Sequence, residues 1–265
     1  MSYSLTLLGS GSSGGVPRLG PNWGACDPAN PKNRRRRCSA LVHRHAGRGR
    51  TSVLIDASPD LREQLLDAEI STIDGVLFTH DHADHTHGID DLRILAFNMR
   101  RRVDVYFDQT TRASLLTRFD YCFNTPPGSS YPPILNAHDI TPPDPIVING
   151  AAGPVTAMPV QQEHGSQPSL GFRIADVAYS PDISGMSPES EALLQNLDLW
   201  IVDALRYIPH PSHFSVKQAL AWIEKLKPKR AILTHLHVDL DYAALSRELP
   251  PHVSAAYDGM TVHFD

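Results

Sequence analysis

Residues 79–85 read Thr-His-Asp-His-Ala-Asp-His and carry three histidines and two aspartates, directly after the apolar run at 76–78. Imidazole nitrogens and carboxylate oxygens suit Zn²⁺, Mn²⁺ or Fe²⁺. Because side chains alternate along an extended segment, His80 and His82 share a face and can hold one ion together. Asp84 and His85 follow where the chain can turn and can supply a second ion. A solvated loop would explain this composition but not the order H-x-H-x-D-H, so the motif predicts a site for two metals.

The bulk composition is that of an ordinary globular protein. The chain has 265 residues, 41% of them apolar and 20% charged, which is enough to bury a large core. A net charge of −5 argues against a nucleic-acid or membrane-surface binder. No run approaches the roughly 18 apolar residues of a membrane span, and the first residues lack the charged region of a signal peptide. Three widely spaced cysteines, Cys26, Cys38 and Cys122, favour a reducing compartment, so we expect a cytoplasmic protein.

Strand-like and helix-like segments alternate in both halves of the chain. Apolar or alternating runs predict strands at 4–8, 38–43, 52–56, 75–79, 103–107, 146–148, 155–160, 171–174, 177–180, 197–203, 230–234, 253–256 and 260–264. Helical spacing predicts helices after Pro59 and at 88–99, 110–119, 188–194, 215–226 and 242–249. This order predicts an α/β (α+β) protein with two sheets covered by helices.

Three segments need separate interpretation. Gly9, Gly11 and Gly14 formally fit the dinucleotide fingerprint G-x-G-x-x-G, but prolines at 17 and 21 stand where that motif requires a helix, so we reject a dinucleotide site. The basic run Arg34–Arg37 is interpreted as a solvated face or linker, with an anionic substrate as the alternative. Seven prolines between 121 and 146 forbid continuous helix or sheet, so we interpret this stretch as an insertion or lid-like loop.

Further ligands are expected where other strands end. His164 follows the strand at 155–160, and Asp182 follows the strand at 177–180. His235 directly follows the strand at 230–234, in the same apolar-Thr-His pattern that Thr79 and His80 show. Each signal is weak alone because the chain has 14 histidines, but their order and context together are specific.

With these residues the sequence resembles the metallo-β-lactamase superfamily, over essentially the whole chain. The resemblance implies an αββα sandwich and one hydrolase domain spanning 1–265. It also implies two divalent ions, Zn²⁺ or Mn²⁺, and seven ligands. His80, His82 and His164 would hold the first ion, Asp84, His85 and His235 the second, and Asp182 would bridge both. An aspartate in the bridging place resembles the branches that cleave phosphodiesters or thioesters.

Within that superfamily the chain is most similar to the phosphoribosyl cyclic phosphate phosphodiesterases of phosphonate breakdown. The shared features are the opening L-x-L-x-G-S-G-x-x-x-G-V-P, the R-x-x-C-S at 35–39 and the Tyr-Asp-Gly-Met at 257–260. His213 occupies the place of that family's histidine for the substrate phosphate. That family also carries a structural zinc on a cysteine cluster. Here the corresponding loop has only Cys26, and Val238 stands at the later histidine position, so we predict no structural zinc.

The resemblance implies hydrolysis of a small cyclic phosphate or phosphodiester by hydroxide held between the two ions. The expected catalytic residues are Asp84 and His213, with Asp81 and Asp258 as candidates to orient a ligand imidazole. We expect a small phosphorylated substrate as partner. The sequence is also compatible with a homodimer. The alternatives are a tRNA 3′-processing endonuclease, a thioester or lactone hydrolase, and, outside enzymes, a metal-dependent carrier or cofactor-biosynthesis accessory.

Overall fold

Two mixed sheets of seven strands each lie face to face in the computed structural model, which describes residues 2–265. The first sheet comprises β1 (Ser2–Gly9), β2 (Ser39–Ala46), β3 (Gly49–Ile55), β4 (Gly75–Leu77), β5 (Val103–Phe107), β6 (Leu135–Asp139) and β14 (Thr261–Phe264). The second comprises β7 (Ile146–Ile148), β8 (Val155–His164), β9 (Gln167–Ile174), β10 (Val177–Ser180), β11 (Leu199–Asp203), β12 (Arg230–Thr234) and β13 (Val253–Ala255). Their spatial orders are β14-β1-β2-β3-β4-β5-β6 and β13-β12-β11-β10-β9-β8-β7.

Helices cover the outer face of each sheet. They are α1 (Leu61–Asp67), α2 (Ala83–Thr86), α3 (Leu92–Met99), α4 (Gln109–Arg118), α5 (Asp120–Phe123), α6 (Pro188–Leu193), α7 (Val216–Leu226) and α8 (Tyr242–Glu248), with 3₁₀ turns at Pro31–Asn33 and Ile89–Asp91. The predicted start of α7 is confirmed, because Ser215 caps it in a reciprocal pair with Gln218. Within residues 2–265 no helix is long and apolar enough to cross a bilayer.

Strand alternation explains the layering. Val53 and Ile55 of β3 enter the apolar cluster between the two sheets, while Leu54 enters the cluster beneath α1 and α3. In β11 the same alternation sends Ile201 inwards and Trp200 outwards, against α7. Strands buried on both faces read as unbroken apolar runs, as these do. The predicted α/β class and αββα order are confirmed.

Parallel pairing brings the carboxyl ends of several strands to one place. β3, β4, β5 and β6 pair in parallel in the first sheet. In the second sheet β10, β11, β12 and β13 do the same. Polar residues that follow these strands therefore meet at a common edge of the sandwich, where crevices outside strand ends commonly bind ligands.

The proline-rich segment 121–146, predicted as an insertion or lid-like loop, is a loop only in part, and the prediction was wrong for residues 135–139. It contains the end of α5 and the whole of β6, which pairs in parallel with β5 along residues 135–139. The prolines cluster at 126–133 and 142–145 and leave 134–141 free for a strand. Proline is compatible with the ends of an edge strand, and β6 is one of the two edge strands of its sheet. The number of prolines misled the prediction, whereas their positions allow the strand.

The basic run Arg34–Arg37 is mostly not a solvated face, which corrects the sequence interpretation. Arg35 is 2% exposed and donates to the Leu240 carbonyl oxygen at 2.8 Å. Arg36 pairs with Asp67 and Asp258, and Arg37 pairs with Asp60. The run is extended and lies between β2 and the loop that contains Gly9, Gly11 and Gly14. Alternate side chains of the run therefore turn inwards, towards partners from distant parts of the chain.

Candidate metal centre

The seven predicted ligands lie at the edge where the strands end. His80 and His82 follow β4, and the short α2 starts after His82, so Asp84 and His85 lie on its first turn. His164 is the last residue of β8, Asp182 follows β10, and His235 directly follows β12. The ligating atoms form two groups, each within 4.8 Å: His80, His82, His164 and Asp182 in one, and Asp84, His85 and His235 in the other. The structure thus brings all seven together.

The first group has three imidazoles around one carboxylate oxygen. His164 Nε2 lies 3.3 Å from His82 Nδ1 and 3.6 Å from Asp182 Oδ2. His80 Nε2 lies 3.8 Å from the same oxygen. Three nitrogen donors and one oxygen at these separations match the donor set of a four-coordinate divalent ion.

The second group shares the other oxygen of the same carboxylate. Asp182 Oδ1 lies 3.0 Å from His85 Nε2 and 3.6 Å from His235 Nε2. Asp84 Oδ2 lies 3.4 Å from His85 Nε2 and 3.7 Å from His235 Nε2. Asp182 therefore stands between the two groups and presents one oxygen to each, which is the arrangement that a bridging carboxylate requires.

Asp56, which the sequence analysis did not select, orients this centre. Its Oδ2 accepts from His85 Nδ1 at 2.7 Å and from the Thr79 hydroxyl at 2.9 Å, and its Oδ1 accepts from the Thr79 amide. Since the Thr79 hydroxyl donates to Asp56, it accepts from His80 Nδ1, 2.9 Å away. In their neutral forms both rings thus carry their proton on Nδ1 and turn the Nε2 lone pair towards the centre. Asp56 follows β3 directly, the same strand-end signal that identified Asp182.

His213 lies beside the centre rather than apart from it. Its ring stacks on His235 at 4.6 Å between centroids and meets His164 edge-on at 4.7 Å. Nδ1 is 2.8 Å from Asp203 Oδ2, which also accepts from the Ile183 amide. Asp203 ends β11 and is the second residue that the sequence analysis missed. The predicted proximity of His213 to the ligands is present in the structure.

Asp81 and Asp258 do not orient a ligand imidazole, contrary to prediction. The Asp81 carboxylate bonds the Ser114 hydroxyl and Arg118 of α4. Asp258 accepts from the Ser10 amide and hydroxyl and from Arg36. Both aspartates were chosen by nearness in sequence or by motif, and neither criterion tells which way a carboxylate turns.

Cys26 packs in a small apolar cluster with Val16, Val238 and Trp23. Its thiol lies within hydrogen-bond distance of the carbonyl oxygens of Val238 and Leu240, at 3.3 and 3.4 Å. Burial, which outweighs the opposing charge of Arg35, raises the pKa of this thiol above its usual value. Its neighbours are apolar side chains and backbone carbonyl oxygens, and the absence of a structural zinc stays a prediction.

Buried nitrogen and oxygen atoms that lack a hydrogen-bond partner at the centre fit a cation. Among residues 2–265, Nε2 of His80, His85 and His235 and Oδ1 of Asp182 are buried and make no hydrogen bond. Buried polar atoms are normally bonded, so a cluster of unpaired lone pairs calls for a ligand. The donors are imidazole and carboxylate, and together they fit a divalent metal ion.

Burial keeps two imidazoles of the first group, those of His80 and His164, neutral. It lowers the pKa of His80 well below 6.5 and that of His164 to about 4. Burial opposes ionisation of Asp182, but His235 and His85 outweigh it and hold the pKa of that carboxyl well below its usual range. Lone pairs and negative charge are therefore available together at neutral pH, as metal binding requires.

His85 behaves differently and gives the centre a pH dependence. Burial opposes its protonation, but Asp182, Asp84 and Asp56 outweigh this and raise the pKa of His85 well above 6.5. A divalent ion competes for the same lone pair, so metal binding releases this proton. Below the raised pKa, affinity is expected to fall about tenfold per pH unit for each proton displaced. Metal titrations by calorimetry in two buffers of different ionisation enthalpy measure this release, and a pH-independent affinity would contradict it.

Asp56→Asn is expected to weaken metal binding by about 10- to 100-fold, because the amide cannot fix the His85 and Thr79 protons as the carboxylate does. Equilibrium competition against a chelator measures the affinity. Asp104→Asn is the matched control, since Asp104 accepts from Asn136 and His138 instead of a ligand histidine. Equal affinities for the two variants would rule out the orienting role of Asp56.

Comparison with known proteins agrees with this geometry. Residues 51–236 match the family described as the Beta-lactamase superfamily domain. A crystal structure described as a new diphosphatase from the PhnP family is 35% identical and superposes with a TM-score of 0.89, covering 100% of this chain and 98% of that one. The metallo-β-lactamase fold protein YhfI from Bacillus subtilis superposes with a TM-score of 0.70 at 18% identity, covering 99% of each chain, which shows the fold alone.

One curated relative is named for a different activity from that of the diphosphatase. An octanoyltransferase from Porphyromonas gingivalis (strain ATCC BAA-308 / W83) is 35% identical over 266 residues, covering 98% of this chain. The chain spans only 51% of that relative's length. The similarity therefore identifies a shared region of that protein without assigning its named activity to the region.

Proposed function

We propose that this chain, which belongs to the β-lactamase superfamily and is a metal-dependent hydrolase, cleaves a small cyclic phosphate or phosphodiester of the phosphoribosyl 1,2-cyclic phosphate type. The observation that carries the proposal is Asp182, whose two oxygens face two separate groups of ligating atoms. A paired site of this kind suits in-line displacement at phosphorus, where both the attacking and the leaving oxygen need stabilisation.

We assign His80, His82, His164 and Asp182 to one ion and Asp84, His85, His235 and Asp182 to the other. The donors admit Zn²⁺ and Mn²⁺ alike. Two such ions supply, when bound, a lowered water pKa and positive charge against the phosphoryl oxygens. Asp56 and Thr79 hold His80 and His85 in the tautomer that ligates, and the Ser212 carbonyl does the same for His164 at 2.6 Å.

His213 is the proposed proton donor to the leaving oxygen. Its Nδ1 is held by Asp203, so Nε2 is the atom free to exchange a proton with substrate. When Nε2 gives its proton to the leaving oxygen, Nδ1 takes up a proton from Asp203 across the 2.8 Å contact. Burial favours this starting state, because it raises the pKa of Asp203 and lowers that of His213. A proton held beside the ligands is available when the leaving oxygen develops charge.

The similarity to a PhnP-family diphosphatase supports phosphorus chemistry, because that relative covers the whole chain. The octanoyltransferase similarity favours a second candidate, hydrolysis of an acyl ester or thioester. Burial raises the pKa of Cys38, the thiol near the centre, well above its usual value, which disfavours acyl transfer through that thiol but leaves acyl hydrolysis as a candidate. A tRNA endonuclease is disfavoured by the net charge of −5.

Metal analysis combined with a substrate panel tests the proposal. The panel contains bis-p-nitrophenyl phosphate, ribose 1,2-cyclic phosphate, its 5-phosphate, ADP-ribose and p-nitrophenyl octanoate. We expect about two ions per chain and turnover of phosphodiesters that is lost on chelation and restored by Mn²⁺ or Zn²⁺. Turnover of the octanoate alone would replace the proposal by the acyl candidate, and metal binding without any turnover would favour a non-catalytic role.

We further propose that residues 1–265 form one domain, because the 35% identical structure matches over 98% of its own length. All three cysteines are free and buried, which supports a reducing cytoplasmic setting.

A further inference from the structure

Two neighbouring residues of β9 contact both segments that carry the ligands of the metal centre. The Ser169 hydroxyl donates to the Asp182 carbonyl oxygen at 2.6 Å. The Leu170 amide donates to the Thr79 carbonyl oxygen at 2.8 Å. Neither Ser169 nor Leu170 is among the assigned ligands. The dipeptide therefore touches the residue that faces both ligand groups, and also the residue before His80, without belonging to either group.

The peptide group that joins Asp182 to Ile183 is held from both sides. Its carbonyl oxygen accepts from Ser169, and its N–H donates to Asp203 Oδ2 at 3.2 Å. Because a peptide group is planar and rigid, two hydrogen bonds on opposite edges fix its orientation. The Cα atom of Asp182 belongs to that plane, so the same bonds fix the point from which its carboxylate extends.

The Ser169 hydroxyl has no competing use. Ser169 is 1% exposed, and within residues 2–265 its side chain makes this one hydrogen bond. The bond lies at the short end of the range for O–H···O contacts, roughly 2.5–3.0 Å. Ser169 also pairs with Gln162 in the ladder between β8 and β9, two residues before the ligand His164. The strand that holds Asp182 is thus in register with the strand that supplies His164.

The Leu170 contact joins the two sheets. Leu170 lies in the second sheet, whereas Thr79 follows β4 of the first sheet and directly precedes the ligand His80. Since the Cα atoms of adjacent residues are about 3.8 Å apart, the two contacts of β9 hold Asp182 and Thr79 at a nearly fixed offset. The spacing between the two ligand-bearing segments therefore depends on this one dipeptide.

We infer that Ser169 is a positioning residue, which sets where the Asp182 carboxylate stands between the two ligand groups and acts through the Asp182 peptide group rather than on substrate. The inference rests on the paired site of the proposed function. Asp182 must face His85 with Oδ1 and His164 with Oδ2 at once, so a shift of about 0.5 Å moves one oxygen out of place. A serine that only satisfied a buried carbonyl oxygen would affect stability and not the way in which two ions share the carboxylate.

The test uses Ser169→Ala loaded with Mn²⁺, whose unpaired electrons report on the bridge. Magnetic exchange between two Mn²⁺ ions passes through shared ligands, so its size depends on the geometry of the bridging carboxylate. We expect the exchange coupling, measured by electron paramagnetic resonance, to fall. In calorimetric titrations, binding of the second Mn²⁺ should weaken about 10- to 100-fold relative to the first. Ser169→Thr, which keeps the hydroxyl, should restore both values.

Ser169→Cys is a second variant, because cysteine has a similar volume but is only a weak donor. It should change the coupling and the second affinity in the same direction as Ser169→Ala, with a melting temperature closer to that of the wild type. Thr51→Val is the matched control. Thr51 is buried near the amino end of β3, away from the ligands, and its hydroxyl donates to the Gly153 carbonyl oxygen at 2.8 Å. Its loss should lower the melting temperature and leave the coupling and both affinities unchanged.

The inference is overturned if Ser169→Ala and Ser169→Cys keep the wild-type coupling and relative affinities, or if Thr51→Val changes them equally. A wild-type protein that binds a single Mn²⁺ would instead remove the paired site and, with it, the proposed function.

Discussion

Asp182→Asn is expected to lower phosphodiesterase kcat/KM by about 10³-fold or more, the equivalent of several kcal/mol of transition-state stabilisation. Asp182 is 2% exposed and is the residue that faces both ligand groups, with Oδ1 towards His85 and His235 and Oδ2 towards His80 and His164. An amide offers one neutral acceptor where the carboxylate offers two charged ones. We therefore expect metal content to fall together with activity, measured by mass spectrometry of metals on protein dialysed against a weak chelator.

Asp81→Asn makes the same chemical change one residue from His80. Its carboxylate bonds Ser114 and Arg118 rather than the centre, so metal content should stay near that of the wild type. Circular dichroism checks that both variants fold. Full activity in Asp182→Asn with wild-type metal content would disprove a bridging role and, with it, the paired-site mechanism.

The ligand positions were predictable because they obey a local rule. Thr-His directly after an apolar strand predicts a polar group at the carboxyl end of that strand, and this needs no tertiary information. The pattern occurs at Thr79-His80 and at Thr234-His235. Parallel pairing then collects such ends at one edge, and this also follows from strand order. The layering was predictable for a similar reason, since continuous apolar strands must be covered on both faces.

The positioning carboxylates show where that rule stops. Asp56 and Asp203 also end apolar strands, yet nothing in their local sequence distinguishes an aspartate that binds a ligand histidine from an aspartate that turns to solvent. What decides is a tertiary contact over 29 residues in one case, from Asp56 to His85, and over 10 in the other, from Asp203 to His213. The wrong choices, Asp81 and Asp258, fail for the same reason.

The predictions for the basic run and for the proline-rich segment were wrong because they rested on composition. Arg35 reads as a solvated charge, but its guanidinium satisfies the Leu240 carbonyl oxygen, some two hundred positions away in the chain. Leu135–Asp139 reads as part of a long proline-rich loop, but as an edge strand it needs ladder bonds on only one side. Both errors come from averaging over a segment in which single positions have different surroundings.

His213→Gln is expected to lower kcat by about 10²-fold or more while leaving metal content unchanged. His213 Nδ1 bonds Asp203 at 2.8 Å, and the nearest oxygen of Asp182 is 3.9 Å away, so the ring is engaged by its positioning partner rather than by the bridging carboxylate. Glutamine keeps the approximate size and polarity but cannot deliver a proton. A leaving group of low pKa needs little protonation, so bis-p-nitrophenyl phosphate should lose less rate than a cyclic sugar phosphate.

His210→Gln makes the matched change one ring away, since His210 lies 5.2 Å from His213 between centroids and bonds Ser212. It should leave kcat within about twofold of the wild type, as for an ordinary surface substitution. Asp182, His213 and His235 also lie close enough to hold an ion among themselves, which makes metal content the deciding measurement. If His213→Gln loses one ion per chain, His213 is a ligand and not the proton donor; if the ions stay and the rate loss tracks the leaving-group pKa, it is the acid.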